Sequence, residues 1–356
     1  VITNNDPSST GIITTVFDQE DLIFPSVDYI NERLIDHGVK VSRIVGFGGI
    51  GIVYKGVYTV GNDSYDCAIK ILQPQILASS DETHKQETWR RFERESVLWE
   101  QLAYWYKGSS FLNRVIEIYE WCPGWGLSNV KTPLPHIIME YIEGLTLHDA
   151  IHGKPSSLQD SLKYSIQAVE GLMLLHDVFT PPEYRKPIIH RDMKPSNVLI
   201  DLSGNVKLTD LGLAKCGEIL KERENMGARG TPIYMSPEQI SEESSHLTPA
   251  TDLYSSGAFL YELVTKESLL DLPESASISA IFKAIQTQRF RSMGNVPDPL
   301  VRTLRRITAL DPNQRGDAQQ LRYDLVRADI EIGTPVDQIY DFVVKDEGML
   351  RFLDKF

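Results

Sequence analysis

The chain has 356 residues, of which 42% are hydrophobic and 24% charged, a composition that can bury a full core. Its 36 basic and 49 acidic residues give a net charge of −13, which argues against nucleic acid or an anionic membrane surface as the main partner. Three cysteines without metal-ligand spacing favour a reducing, cytoplasmic compartment. No apolar run approaches 18 residues, so we expect no membrane segment here, with an anchor outside this chain still open.

Residues 1–37 open with the polar, turn-rich stretch NNDPSST and are expected to form a partly flexible extension. Ile30, Leu34 and Ile35 then recur at helical spacing and predict one short helix. From position 39 to 72, β-branched residues, glycines and a VGNDS turn alternate as in an antiparallel meander. The following segment, HKQETWRRFERESVLWEQLAYW, predicts a long helix.

Two strand-like segments, RVIEIYEW and HIIMEY, flank a stretch whose Pro and Gly content predicts a surface loop. After Gly144 the pattern is helical, from SLQDSLKYSIQAVEGLMLLHDV to AQQLRYDLVRADI. A strand-rich first third before a helix-rich remainder predicts an α+β fold with two lobes of unequal size. The last stretch, VDQIYDFVVKDEGMLRFLDKF, is compatible with a short amphipathic helix beyond the main domain.

The stretch GFGGIGIVYKG places Gly46, Gly48 and Gly51 between two strand-like runs. Glycines let backbone amides approach phosphate closely and adopt conformations closed to other residues. A structural hairpin is an equally good interpretation of this stretch taken alone. A dinucleotide-binding turn is disfavoured, because the glycines lead into a second strand rather than a helix.

The stretch CAIK places Lys70 in an apolar strand. A buried ammonium needs an anionic partner, because otherwise its pKa falls and it loses its charge. Glu93 and Glu95 on the following helix are the candidates, and Glu95 fits the apolar face of that helix better. The alternative is a lysine whose ammonium reaches solvent at a strand end.

Two neighbouring motifs, IIHRDMKPSNVLI and VKLTDLGLA, place four polar side chains on turns between short apolar runs. Of these, Asp192 can take a hydroxyl proton, and Lys194 beside it can neutralise a phosphoryl oxygen. Asn197 and Asp210 offer the hard oxygen ligands that Mg²⁺ prefers. Chance assembly of this set downstream of the lysine and the glycine stretch is very improbable.

Together these motifs, in this order, resemble those of eukaryotic-type (Hanks-type) serine/threonine protein kinases over roughly residues 39–327. The stretches MEYIEGLTL and TDLYSSGAFLYELVT are most similar to bacterial members. The resemblance implies a kinase domain over 38–328, with a small lobe of antiparallel sheet and one main helix and a larger, mainly helical lobe. The small lobe is expected over about 38–140 and the large lobe over about 144–328, with a C-terminal extension over 329–356.

The resemblance also implies a role for each residue of these motifs. The three glycines would cover the phosphates of ATP, and Lys70, held by Glu95, would contact the α and β phosphates. Asp192 would accept or orient the substrate hydroxyl, with Lys194 on the γ phosphate. Asn197 and Asp210 would hold Mg²⁺, with Mn²⁺ as an alternative.

Adenine would lie between apolar side chains, with Met139 as the gatekeeper residue and the backbone of Glu140 and Ile142 as its hydrogen-bonding hinge. The expected apolar positions are Val45, Val53, Ala68, Met139 and Leu199.

The implied activity is ATP-dependent phosphorylation of Ser and Thr hydroxyls in protein substrates. A different class of function, a nucleotide-binding pseudokinase or scaffold module, is the alternative. Pseudokinases usually lack the lysine, the base or the metal-binding aspartate, and all three are present here. A small-molecule kinase is disfavoured because GTPIYMSPE resembles a platform for protein substrates.

Four further residues match scaffold positions of this family. His190 is expected to be structural rather than catalytic, and Asp252 to support the large lobe. Glu238 and Arg315 are expected to form an ion pair whose loss would affect stability rather than chemistry.

Two departures from the family pattern stand out. Leu211 replaces the aromatic residue of the Asp-Phe-Gly motif, and because Leu is also large and apolar we expect function to survive. The link HDVFTPPEYRKPIIHRD before the catalytic loop is longer than usual, and its extra residues are expected to form a surface loop.

The segment between Gly212 and Thr231 contains no Ser, Thr or Tyr that could receive an activating phosphate. In relatives with an arginine at the position of Arg191, a phosphorylated residue usually neutralises it. We hypothesise that a carboxylate replaces the phosphate here, so that the enzyme is active without phosphorylation of this segment, under the control of the flanking segments, a regulatory partner or homodimerisation. The candidate carboxylates are Glu218, Glu222 and Glu224, whose alternative is pairing with neighbouring basic residues.

Overall fold

The β-branched run after position 38 forms the antiparallel meander predicted for it. Its strands are β1 (Val39–Phe47), β2 (Gly51–Val60) and β3 (Asp63–Leu72). The turn between β2 and β3 contains Gly61 in a left-handed conformation, with φ of +63°, which favours glycine. The computed structural model describes residues 25–47, 51–72, 82–122, 135–153, 157–177, 187–211, 232–241 and 247–355.

Two further strands complete the sheet of the small lobe in the order β1-β2-β3-β5-β4, with β4 at Ile118–Cys122 and β5 at His136–Glu140. The segment RVIEIYEW was predicted as one strand, but only its second half belongs to this sheet. Its first residue ends a 3₁₀ turn (Ser110–Arg114), and the Ile116 amide donates to the Leu208 carbonyl instead. That pairing draws the segment towards the large lobe.

Helix α2 (Glu82–Trp105) confirms the long helix predicted after the meander. Its residues Phe92 and Leu102 are buried in the main core, and Leu98 packs against that core. The core therefore continues from α2 into the large lobe.

The large lobe is mainly helical, and the predicted α+β class with two unequal lobes is confirmed. A small antiparallel sheet, β6-β7-β8, lies at its boundary with the small lobe. The strands are β6 (Gly144–Thr146), β7 (Val198–Asp201) and β8 (Val206–Leu208). The helices are α3 (Leu147–Gly153), α4 (Leu158–Leu175), α5 (Pro237–Ile240), α6 (Ala250–Thr265), α7 (Ile278–Gln286), α8 (Asp298–Ile307) and α9 (Ala318–Ile332).

The described part of the N-terminal extension forms helix α1 (Val27–Leu34), which is capped by the Ser26 hydroxyl. Ile30 and Leu34 are fully buried against the small-lobe sheet, as their spacing predicted. Ile35 was placed on the same apolar face, but it is 72% exposed. The reason is that the α-helix changes into a 3₁₀ turn (Ile35–His37) at this residue, which rotates its side chain away from the sheet.

The C-terminal extension differs from the single helix expected beyond the main domain. Two short helices, α10 (Val336–Tyr340) and α11 (Glu347–Leu353), bury Ile339 and Met349 in the core of the large lobe. The buried Glu170 carboxylate holds this segment, because its Oε1 accepts from the Val344 amide at 2.7 Å. Pattern alone could not show this contact between distant parts of the chain.

Several predictions concern residues outside the described ranges. These include most of the surface loops expected within CPGWGLSNVKTPLP and HDVFTPPEYRKPIIHRD, at 123–134 and 178–186, and the flexible start of the chain. Among the described helices, none is both long and apolar enough to cross a bilayer.

Candidate active site

Strand β3, helix α2 and the turn after β8 bring three charged side chains together between the lobes. Nζ of Lys70 lies 2.9 and 3.0 Å from the two carboxylate oxygens of Glu95 and 2.6 Å from Oδ1 of Asp210. The predicted pairing of Lys70 with Glu95 is therefore present, and Glu93 is not its partner. Direct contact of Lys70 with Asp210 was not predicted, since the two lie far apart in sequence.

Lys70 attracts both carboxylates of this cluster, whereas burial and the nearby Asp210 charge hold the pKa of Glu95 above its ordinary value despite Lys70. Burial alone would lower the pKa of Lys70, but Asp210 and Glu95 hold it above its ordinary value. Burial alone would raise the pKa of Asp210, but the Lys70 ammonium holds it below its ordinary value. Lys70 is therefore cationic and Asp210 anionic at neutral pH.

A second cluster surrounds Asp192 on the turn before β7. Nζ of Lys194 lies 2.5 Å from Oδ2 of Asp192, and Nδ2 of Asn197 donates to the same oxygen at 2.9 Å. Asn197 also donates to the backbone carbonyl of Asp192 at 2.9 Å. The carboxylate is thus oriented from two sides, and the Asn197 amide oxygen is the atom left for a cation.

The backbone around these clusters is held in an uncommon conformation. Arg191 and Asp210 have φ of +67° and +57°, which are rare for residues other than glycine. The buried Asp252 carboxylate fixes the first of them, because it accepts from the amides of His190 and Arg191 at 2.8 Å each. His176 bonds to the same carboxylate at 2.8 Å, a contact that the sequence did not suggest.

His190 is fully buried, and its Nε2 bonds to the carbonyl of Thr209 at 3.0 Å. Burial lowers the pKa of this imidazole despite the carboxylates around it. These contacts are those of the structural histidine that was expected.

Two of the three predicted phosphate-binding glycines lie in the described residues, and Gly48 does not. A Cβ on Gly51 would lie 3.2 Å from the Ile71 carbonyl and 3.3 Å from Cγ of Lys70. A Cβ on Gly46 would meet only Cβ of Val53 at 4.0 Å. Gly51 therefore leaves room for the Lys70 side chain, a steric reason for glycine that the sequence did not reveal.

Four of the five predicted adenine positions belong to one apolar core. Ala68 and Met139 face each other across β3 and β5 and are buried in the main core. Val53, Ile142 and Leu199 pack against that core from the two lobes. Val45 is partly buried on β1 and stands outside this group.

At the hinge, the amide of Glu140 donates to the Glu117 carbonyl at 2.9 Å. The contact of the Glu140 backbone with adenine stays a prediction. The Glu140 side chain is paired with Lys207 at 2.5 Å, which ties the hinge to β8 of the large lobe.

Two further predictions, for the residue at position 211 and for the pair of Arg315 and Glu238, can be compared with the structure. Leu211 is buried in the same core as Phe92 of α2, so an aliphatic side chain fills the expected aromatic position. Arg315 is fully buried, and its Nη1 and Nη2 lie 2.6 and 2.9 Å from the two Glu238 oxygens. The predicted ion pair is therefore bidentate.

A surface depression lies beside Asp192. Gln239 was not predicted there, although it donates from Nε2 to the Arg191 carbonyl at 2.7 Å. The GTPIYMSPE motif predicted a platform for protein substrates in this region but did not indicate the contact between Gln239 and Arg191. The lining includes Asp192, Lys194, Pro232, Tyr234, Met235 and Gln239.

Residues 212–231, with Glu218, Glu222, Glu224 and Thr231, lie outside the described ranges, so pairing with Arg191 stays a prediction. Nε of Arg191 is buried and has no hydrogen-bond partner among the residues that the structure describes. A guanidinium in this position can accommodate an anionic group.

Comparison with known proteins identifies the family. The sequence model of the family described as "Protein kinase domain" matches residues 39–324. Serine/threonine-protein kinase A of Synechocystis is 30% identical over 72% of this chain and 46% of its own length. PrkC of Bacillus subtilis is 27% identical over 88% of this chain and 43% of its own length. PknB of Mycobacterium leprae is 28% identical over 81% of this chain and 42% of its own length.

The chain spans less than half the length of these relatives, each of which is named a serine/threonine-protein kinase. Kinase domains of this family use ATP and a divalent metal ion. The resemblance drawn from the motifs is confirmed by the match over most of the chain. The chain belongs to the Hanks-type protein kinase family and is similar to its bacterial serine/threonine members.

Proposed function

We propose that the chain transfers the γ-phosphoryl group of ATP to Ser and Thr hydroxyls of protein substrates. The observation that carries the proposal is the placement of Lys70 between Glu95 and Asp210 in the cleft between the lobes. An ammonium held in this way presents a fixed positive charge to phosphate oxygens without any reorganisation during the reaction. Gly51 lies on β2, which pairs with the strand of Lys70, and Gly46 lies on β1, the next strand of the sheet.

Asp192 is the proposed base. Its carboxylate takes the proton of the substrate hydroxyl, while the hydroxyl oxygen bonds to the γ phosphorus and the bond from that phosphorus to the bridging oxygen breaks. The products are ADP and a phosphoserine or phosphothreonine. Lys194 beside the base neutralises a γ-phosphate oxygen, and the depression lined by Tyr234 and Gln239 receives the substrate.

Asp210 and Asn197 would hold the divalent ion. A carboxylate with a lowered pKa and an amide whose nitrogen is already bonded to Asp192 together supply two hard oxygens, which suits Mg²⁺ and also Mn²⁺. When bound, the ion neutralises charge on the β and γ phosphates. Val53, Ala68, Met139 and Leu199 would enclose the adenine ring, together with Val45, with Glu140 and Ile142 as its hinge.

Labelled ATP and a general protein substrate test this proposal directly. The wild-type protein should incorporate phosphate into Ser and Thr, and Asp192→Asn should lose nearly all incorporation while it still binds ATP. A matched control is Asp201→Asn at the end of β7, whose carboxylate bonds to Ser203 and Asn205 rather than to the Asp192 cluster. Binding of ATP by wild type with no incorporation on any substrate or on itself would favour the pseudokinase alternative.

We further propose that activity does not require a phosphate between Gly212 and Thr231. Arg191 lies directly before the base, and its buried Nε lacks a partner in the described structure. Glu222 or Glu224 would supply the missing anion, and control would come from the flanking segments, a partner or dimerisation. Phosphatase treatment should leave activity intact, whereas Glu222→Gln combined with Glu224→Gln should reduce it. The opposite pair of results would reject the idea.

A further inference from the structure

Two imidazoles and one carboxylate meet on the small lobe, outside the proposed active site. His37 ends the 3₁₀ turn after α1, Glu120 lies in β4, and His136 begins β5. Each offers one ligand atom, and the three atoms all lie within 4.8 Å of one another. Nothing in the proposed phosphoryl transfer uses any of these side chains.

The cluster lies on the face of the sheet opposite to Lys70. Lys70 is opposite Ile137 in the register, and Ile137 contributes to the core shared with α2. His136 and Ile138 point to the other face, where Ile138 packs with Ile30 of α1. The cluster therefore joins the N-terminal extension to the β4–β5 hairpin.

The ligand set and spacing suit a tetrahedral transition-metal ion. Zinc bonds to imidazole and carboxylate at about 2.0–2.2 Å, which places neighbouring ligand atoms about 3.3 Å apart in a tetrahedron. Nδ1 of His37 and Oε1 of Glu120 are already 3.0 Å apart. The ligand atoms of the other two pairs lie up to 4.8 Å apart, so side-chain shifts of about 1.5 Å at most would bring them to the tetrahedral spacing.

The surroundings hold these side chains in place. Oε2 of Glu120 accepts from the Tyr58 hydroxyl at 2.8 Å, and Tyr58 stacks on Tyr119 with ring centroids 6.1 Å apart. Hydrogen bonds of this kind orient a ligating carboxylate. Gly38, with φ of +67°, lies so close to β2 that a Cβ at position 38 would be 2.6 Å from the Thr59 carbonyl. This close approach brings His37 next to β2.

Access and charge also fit a bound cation. His136 is fully buried, whereas the side chains of His37 and Glu120 are 23% and 35% exposed, so the cluster is open to solvent on one side. The ligand set of two neutral imidazoles and one carboxylate carries a single formal negative charge when it binds a divalent ion. Such a set leaves a fourth position for water and prefers zinc or a similar ion over Mg²⁺.

We propose that His37, Glu120 and His136 form a zinc site that fastens the N-terminal extension to the small lobe. The ion takes the place of the proton shared by Nδ1 of His37 and Oε1 of Glu120, and this proton moves to Nε2 of His37 or to solvent. Binding then links α1, β4 and β5 through one centre.

The test uses the whole 356-residue chain after treatment with a chelator. Co²⁺ is added first, because a tetrahedral site gives visible absorption bands, and Zn²⁺ affinity is then measured by competition with a chromophoric chelator. Wild type should bind one equivalent of each ion. The Kd for zinc should rise at least about 100-fold in His37→Ala and in Glu120→Gln, and about 10–100-fold in Tyr58→Phe.

Two controls exclude other donors. His148 and His152 form a pair of imidazoles on α3, with ring centroids 4.5 Å apart, and Cys122 is a free thiol on β4. The double variant His148→Gln/His152→Gln and the variant Cys122→Ser should each retain the cobalt spectrum and the zinc affinity of wild type. Loss of binding in either control with retention in His37→Ala would overturn the proposal.

Hydrogen exchange supplies a second readout that does not depend on the ligand variants. One equivalent of zinc should slow exchange of amides 27–41 in wild type and leave it unchanged in Glu120→Gln, which preserves the shape of the side chain. Absence of stoichiometric binding, with no cobalt bands, would reduce the cluster to a hydrogen-bonded His–Glu pair and reject the zinc site.

Discussion

Nζ of Lys70 and Oδ1 of Asp210 lie 2.6 Å apart and join the two lobes through one ion pair. Lys70 is on the central strand of the small lobe, and Asp210 follows the last short strand of the large lobe. Because Glu95 holds the same ammonium, the position of α2 is tied to the same contact. The Lys70 ammonium therefore links α2 and both lobes at one point, in addition to the Glu140–Lys207 pair.

The first prediction concerns Asp210→Asn. The change keeps the size of the side chain and leaves Lys70 paired with Glu95, so the protein should fold normally. Loss of the proposed metal carboxylate should reduce kcat/KM by about 100-fold or more. Kinase assays and circular dichroism measure the two effects, with Asp66→Asn, in an exposed pair with Lys55, as the control. Activity near wild type would contradict the role assigned to Asp210.

The second prediction concerns the buried pair of Arg315 and Glu238. Arg315→Met leaves a carboxylate without its guanidinium and should lower the free energy of unfolding by about 3–5 kcal/mol. The matched control is Arg351→Met, whose pair with Glu347 is exposed and should cost at most about 0.5 kcal/mol. Urea unfolding gives both values, and similar losses in the two variants would contradict the prediction.

The third prediction concerns the pH dependence of stability. Burial alone would raise the pKa of Glu238, but hydrogen bonds and charge from Arg315 hold it below the ordinary 4.5. A lowered pKa in the folded state means that this pair stabilises fully above pH 4.5 and loses its effect as the pH falls through the folded value. Urea unfolding between pH 7 and 3 should show a steeper loss in wild type than in Glu238→Gln. Parallel curves would disagree with this assignment.

The fourth prediction separates two glycines of the same stretch. A Cβ at position 51 would press on Lys70 and on the Ile71 carbonyl, so Gly51→Ala should destabilise by about 1–3 kcal/mol and raise the KM for ATP. Gly46→Ala meets nothing closer than 4.0 Å and should change stability by about 0.5 kcal/mol or less. Thermal unfolding and ATP titration test both variants. Equal destabilisation would contradict this difference and would show that backbone freedom, rather than the space available for a Cβ, is the reason for glycine at both positions.

The fifth prediction concerns Glu170, which accepts from Arg114, from Arg322 and from the Val344 amide. Glu170→Gln removes the charge that holds two buried guanidinium groups and should release the C-terminal extension. Hydrogen exchange of amides 343–353 should become faster, while Glu331→Gln, at an exposed position, should have no effect. Unchanged exchange in both variants would mean that the apolar contacts of α10 and α11 are enough to hold the C-terminal extension in place, which would contradict the prediction.

The sequence by itself determined which residues are candidates for the site, and most of the secondary structure. Lys70, Asp192, Asn197 and Asp210 were found from local motifs and from the resemblance of those motifs to a kinase family, because a motif is a run of residues that are close together in the chain. The long helix α2 and the meander β1–β3 followed from periodicity for the same reason. Local patterns could also place Ile30 and Leu34 on a buried helix face.

Only the tertiary structure decided the contacts between distant parts of the chain. The bond from Lys70 to Asp210, the packing of α10 and α11 under Glu170, and the meeting of His37 with Glu120 depend on how lobes and extensions pack. The prediction for Ile35 was wrong because the α-helix changes into a 3₁₀ turn at this residue, directly before β1, and helical periodicity no longer applies. Periodicity describes one element at a time, whereas these contacts arise where elements from different parts of the chain share one buried or charged centre.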